Sequence, residues 1–239
     1  MKKYIACILI LILSAAVCMP AAAAGRGLTV VSENVVIEEK DDGVNVFVFA
    51  RLTNTSKDTV TLDTGLFEVK DTAGNLIGTD DAPAVYAAKY LKLNEQGYLR
   101  ACVSLEGFKK EQIGACTLTV EGKVYKGRAR IERFACEPVY EEDVVYGGWL
   151  TYDYMGATVT NNTDAVLYDL ETVFALCDKD GKILNIGYAF MGLLNDIGLH
   201  PGSTVTMRDI NADTVQAAYT ASGDVPAYVD AIAYREIYV

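Results

Sequence analysis

Acid–base or nucleophilic chemistry near neutral pH draws most often on histidine. The chain has one, His200, followed by Pro201-Gly202 and then Ser203. A hydroxyl nucleophile needs a base and an orienting partner within hydrogen-bond reach. The spacing places no such partner, and Pro-Gly is a tight-turn signal, so His200 reads as a turn residue. Asp178-Lys179-Asp180-Gly181 opens like a calcium loop. Such a loop needs an oxygen ligand at its fifth position, glycine at the sixth and glutamate at the twelfth. Those positions hold Lys182, Ile183 and Ala189, so the segment reads as a hairpin turn. Asn54-Thr55-Ser56 and Asn161-Asn162-Thr163 both match the glycosylation sequon, but their twin placement points to one turn used twice. These features supply no catalytic set, metal-ligand set or cofactor motif. The expectation is a non-enzyme without cofactors.

The first residues bear on the compartment. Lys2-Lys3, an apolar run from Tyr4 to Val17 and the small residues Ala21 to Ala24 follow the order of a signal peptide, with cleavage expected after Ala24. The run is short for a membrane span, so no transmembrane segment is expected after cleavage. Val17 before Cys18 is a poor lipobox, which leaves lipidation a minor alternative. Removing 24 of 239 residues leaves 215, and losing Lys2 and Lys3 moves the net charge from -11 to -13. No basic footprint for nucleic acid exists, and the acidity opposes adsorption to anionic membranes. At 51% hydrophobic, the chain can bury real cores. Four cysteines remain: Cys102, Cys116, Cys136 and Cys177. Their even number permits disulfides in three connectivities. Cys102–Cys116 is the first candidate, since both lie in the first half on strands expected to be close; the other reading is half-buried thiols. No pair is spaced as CxxC, so neither a zinc ribbon nor a thioredoxin-like site is indicated.

The elements that would carry these residues are strands. Val46, Val48, Ala50 and Leu52 share one face of a Val44–Leu52 strand, and short apolar runs broken by Asn, Asp and Gly turns argue for sandwiches. The chain also repeats itself. Asn54 and Asn161, Asp71 and Asp178, and Gly74 and Gly181 are each 107 residues apart. Leu93-Asn94-Glu95-Gln96-Gly97 corresponds to Leu199-His200-Pro201-Gly202, each leading into a strand and then a polar, helix-compatible crossover at 107–114 or 211–223. A tight turn at Glu121-Gly122 is expected to fold 124–134 back as a hairpin. Cys136-Glu137-Pro138, just before the charged run Glu141-Glu142-Asp143, reads as a linker. The division is 1–24 signal peptide, 25–137 first module and 138–239 second module.

Phe174-Ala175-Leu176-Cys177-Asp178 resembles the signature of the FxLYD domain family, with Cys177 in the tyrosine position. Gly156 to Asn162 resembles that family's opening strand, Asp180-Gly181-Lys182 its turn, and Leu199-His200-Pro201-Gly202 its Leu-x-Pro-Gly step. The resemblance covers about 145–236. Phe67-Glu68-Val69-Lys70-Asp71 is similar in a more diverged form, and the first half lacks the proline. The resemblance implies an all-β chain of two tandem Ig-like antiparallel sandwiches on an exported bacterial protein, and it brings no catalytic or ligand residues with it. Strand alternation sends Phe174 and Leu176 inward and Ala175 and Cys177 outward or against an edge, with Asp178 starting the turn.

Tyr140, Tyr146, Trp149, Tyr152 and Tyr154 cluster at the start of the second module. They have two readings: an exposed partner contact centred on Tyr146, Trp149 and Tyr152, or packing of the interdomain junction and core. Glu38, Glu39, Asp41 and Asp42 mark a solvated hairpin turn. The expected function is a non-catalytic surface interaction or spacer protein outside the cytoplasm, with an unidentified protein partner. The alternative is binding of envelope glycan or a small ligand in a cleft between the modules.

Overall fold

The computed structural model describes residues 23–24, 27–192, 198–211 and 213–237. The expected signal peptide and Cys18 lie outside these residues, apart from Ala23 and Ala24. The first half runs β1 (Ala23–Ala24), β2 (Leu28–Lys40), β3 (Gly43–Asn54), β4 (Val60–Asp71), β5 (Leu76–Asp80), β6 (Ala84–Tyr86), β7 (Gln96–Glu106), a 3₁₀ turn (Lys110–Gln112) and β8 (Ile113–Val124). The second runs β9 (Arg130–Phe134), β10 (Cys136–Tyr146), β11 (Leu150–Thr160), β12 (Leu170–Cys177), β13 (Ile183–Met191), β14 (Thr204–Asn211), α1 (Asp213–Ala221) and β15 (Tyr228–Ile237). The fold is all-β, as expected, and antiparallel except where β1 lies parallel on β8.

Four sheets form two sandwiches. Sheet I has the order β1-β8-β4-β5 and sheet II β2-β3-β7-β6; sheet III is β13-β12-β15-β9 and sheet IV β10-β11-β14. Between sheets I and II lies an apolar core that includes Val46, Val48, Ala50 and Leu52 of β3, Phe67 and Val69 of β4, and Leu118 and Val120 of β8. The sequence alternation of β3 is therefore kept. Between sheets III and IV, Phe174 and Leu176 are buried in a core with Met155, Ala157 and Val159. Thr172 there donates its hydroxyl to Met207 Sδ at 3.1 Å. The two crossovers differ in length: one short 3₁₀ turn in the first half, and α1 in the second, whose Val215, Ala218 and Tyr219 are buried.

Three expectations change. Glu121-Gly122 does not turn: β8 continues through it, pairing Glu121 with Thr64 and Gly122 with Leu62. The glycine serves close packing, because a Cβ there would sit 2.7 Å from Leu28 Cδ1 and 2.8 Å from Val60 Cγ1. Residues 130–134 form no hairpin on the first half. They are β9, paired with β15 of the second sandwich from Phe134↔Ala233 to Arg130↔Ile237. Arg235 fastens this pairing, donating to Glu132 at 2.8 Å from Nε. Cys136-Glu137-Pro138 is not a loose linker but the start of β10, an edge strand that can tolerate proline.

The cysteines form no disulfide among the described residues. Cys116 is buried in the first core, whereas Cys102 lies opposite Phe47, on the outer side of sheet II. Sheet II lies between the two thiols, so they cannot approach bonding distance.

The outer faces of sheets II and III pack together. Val36, Phe49 and Tyr98 of sheet II share one buried cluster with Val173, Ala175 and Tyr234 of sheet III. The molecule is thus a stack of four sheets in the order I–II–III–IV. The outer faces of I and IV end the stack.

Candidate interaction surface

The repeated sequon asparagines are structural. Asn161 is fully buried; its Nδ2 donates to Ala165 O and Leu199 O, both at 2.7 Å. Its Oδ1 accepts from Thr163 N at 2.9 Å and Thr163 Oγ1 at 2.7 Å. Asn54 repeats the arrangement, donating to Asp58 O at 2.7 Å and Leu91 O at 2.9 Å and accepting from Ser56 N and Oγ at 2.9 Å each. Each amide uses both donor hydrogens and both acceptor sites. No hydrogen or access is left for a glycan.

The twin aspartates also act alike. Asp71 Oδ1 accepts from Ala73 N at 2.9 Å and Asn75 N at 2.8 Å. Asp178 Oδ1 accepts from Asp180 N at 2.8 Å and Lys182 N at 2.9 Å. Gly74 and Gly181 follow with φ of 86° and 85°, the left-handed conformation such turns require. The calcium-like segment is therefore a turn held by its own backbone. His200 is exposed, and its carbonyl accepts from Ser203 N at 3.0 Å. No group of three or more His, Cys, Asp or Glu among the described residues could hold a metal.

The junction between sandwiches holds the residues that sequence reasoning missed. Arg51 of β3 reaches Asp230 of β15 at 3.1 Å and Cys177 of β12 at 3.6 Å, and lies 5.7 Å from the Tyr98 ring centre. Asn34 donates to Ile183 O at 2.7 Å and Ser32 to Gly181 O at 3.4 Å, stitching β2 to the β12–β13 turn. Cys177 does face outward from the second sandwich, but the first sandwich covers it completely. Burial pushes its thiol up to about 11, so it stays protonated and is a poor nucleophile. A usable signal was present. Val44 to Leu52 is apolar on both faces, with Phe47 and Phe49 on the face that alternation assigns to solvent, and such runs belong to strands buried on both sides.

The expected aromatic contact lies far from this junction along the stack, on sheet IV and its β10–β11 hairpin. Trp149 sits at the tip after Gly147-Gly148 and is 79% exposed; neighbouring Val145 is 63% exposed. Tyr146 ends β10, paired with Leu150. Tyr152 lies on the outer face of sheet IV beside Tyr154, ring centres 6.4 Å apart and edge-on. Arg208 stands over Tyr154 at 5.9 Å and pairs with Glu141 at 2.7 Å. Ile210, opposite Tyr154, is 42% exposed. Tyr140 departs from the cluster: it points inward, donating to Asp153 Oδ2 at 3.1 Å, and burial raises its hydroxyl well above the ordinary range. Trp149 is exposed and Tyr152 half-buried on this face, and the junction is packed by other aromatics.

A scan against family models gives no match, and a search of curated proteins gives none either. Among solved structures the chain is similar to red sea bream transglutaminase, at 11% identity and a TM-score of 0.19, over 76% of this chain and 27% of that one. A likeness that low carries no argument about fold or activity. No helix among the described residues is long and apolar enough to cross a membrane.

Proposed function

We propose that the chain is an exported, non-catalytic interaction protein of FxLYD-like sandwiches that holds a protein partner at the cell surface. The observation that carries this reading is Trp149, 79% exposed on a hairpin tip beside an uncovered sheet face with Tyr152, Tyr154 and Ile210. Large exposed aromatics on a rigid strand scaffold are the usual anchors of a protein contact. Export is supported by the Lys2-Lys3, apolar and alanine order of the first 24 residues. A polysaccharide or small ligand held between the modules is the other reading of the sequence. Phe49, Tyr98 and Val173 occupy that space, so no observation favours it.

The test is capture of crosslinked partners from the native cell surface by the mature protein and by a Trp149→Ala/Tyr152→Ala variant. The variant should keep its melting temperature and lose most of the captured partner. Undiminished capture would sink the assignment of the surface.

A further inference from the structure

Accepting the outer face of sheet IV as the contact surface, we infer that its partner is a second copy of this chain, stacked head to tail through sheet I. The repeat carries the inference. The intrachain junction sets the outer face of sheet II on the outer face of sheet III. Strand pairing makes sheet IV the counterpart of sheet II and sheet I the counterpart of sheet III: β10-β11-β14 answers β2-β3-β7, and β8-β4-β5 answers β15-β12-β13. The same step taken once more sets sheet I of the next copy on sheet IV.

Residue equivalences give the register. Asn34 lies opposite Phe49, and Val139 lies opposite Gly156, the counterpart of Phe49. Val139 therefore takes the place of Asn34. Ile183, which Asn34 meets through its carbonyl, corresponds to Leu76, and Leu76 is 54% exposed on β5. The step brings Val139 of one copy onto Leu76 of the next and covers an apolar side chain that the single chain leaves in water. Cys177, beside Arg51, corresponds to Lys70, and Arg51 corresponds to Thr158. Glu137 lies directly opposite Thr158. The incoming Lys70 thus arrives beside an acid, where the intrachain junction has Arg51 and Asp230. The charge order is reversed but still complementary. Charge pairs here replace the apolar Ala175 and Cys177, so the contact is weaker than the intrachain one and sensitive to salt. Because the two surfaces differ, the contact is heterologous and extends rather than closing at a dimer.

Sedimentation of the mature wild-type chain at rising concentration should show mass growing past the dimer, and added salt should suppress the growth. Val139→Asp blocks one end and Leu76→Asp the other. Each variant alone should remain monomeric, while an equimolar mixture should stop at twice the monomer mass, one chain of each. Lys70→Glu and Glu137→Lys, both at the surface, provide a second pair should an aspartate disturb a strand. Each alone should lose association, and the double variant should regain it. A wild-type chain that stays monomeric throughout overturns the inference, and so does assembly that survives Leu76→Asp and Lys70→Glu. Partner capture that depends on Trp149 and Tyr152 would then still stand, so failure of the stacking and failure of the surface are separate results.

Discussion

Sheets II and IV are built from the same strands of the repeat, yet one outer face is covered and the other is open. Their differences are concentrated where cover matters. Phe49, Arg51 and Tyr98 fill the covered face, and their counterparts Gly156, Thr158 and Thr206 leave the open one shallow. A Cβ at Gly156 would sit 2.3 Å from Met207 O, so large side chains are excluded there. Phe47 and Arg100 are kept in kind as Tyr154 and Arg208, and each arginine stands near a tyrosine ring, Arg100 over Tyr86 and Arg208 over Tyr154. The matching faces differ in the same way. Sheet III offers Ala175 and Cys177, and sheet I offers Glu68 and Lys70. Bulk and apolarity commit one pair of faces to permanent burial, and smaller or charged residues leave the other pair available for reversible contact.

Truncating an aromatic on each face breaks this comparison most directly. Phe49→Ala should cost about 3–5 kcal/mol in denaturant unfolding, the range for a large core side chain. Tyr154→Ala, at the equivalent sheet, should cost less than about 0.5 kcal/mol, as surface substitutions do. Equal losses would mean that the open face is not open. The next largest effect tests what the repeats share. Asn161→Ala and Asn54→Ala each remove four hydrogen bonds and leave one backbone N–H, of Thr163 or Ser56, without its partner, and each should cost about 2–3 kcal/mol by the same measurement. A loss at only one site would show that the turns, identical in geometry, differ in energetic weight.

The smallest effect depends on pH and sharpens the contrast within the first sandwich. Glu33 lies opposite Ala50, on the core side of sheet II, and its Oε2 has no hydrogen-bond partner. Burial raises its pKa from 4.5 to about 7. The fold therefore favours the protonated form. This contribution is complete below 4.5, the unfolded value, and is lost as pH rises through about 7. Glu33→Gln should remove that part of the pH dependence, and the variant should melt at a higher temperature than wild type above about pH 7. Parallel melting curves across this range would show that the carboxyl is solvated in the folded state.

Much of the fold was legible because it is local. Valine alternation in β3 named one core face, and Asn54, Asp71 and Gly74 with their partners 107 residues on named the turns. The exposed Trp149 was legible only as a possibility, since an aromatic on a strand can face either a core or a partner. The misreadings were all non-local. Gly122 carries a turn composition, but Leu28 and Val60, distant in sequence, press against it. Residues 130–134 follow the first half in sequence, but β15 provides their pairing edge.

The sequence by itself determined the strand character of the chain, the turns at Asp71 and Asp178, the twofold repeat and the inward faces of β3 and β12, because periods and side-chain-to-backbone bonds act within a few residues. Only the tertiary structure decided which outward faces are covered, that Cys177 is sealed under Arg51, and that Cys102 and Cys116 lie on opposite sides of a sheet. Those outcomes depend on how two finished sandwiches meet, and the hydrophobic effect that joins them rewards buried area without regard to position along the chain.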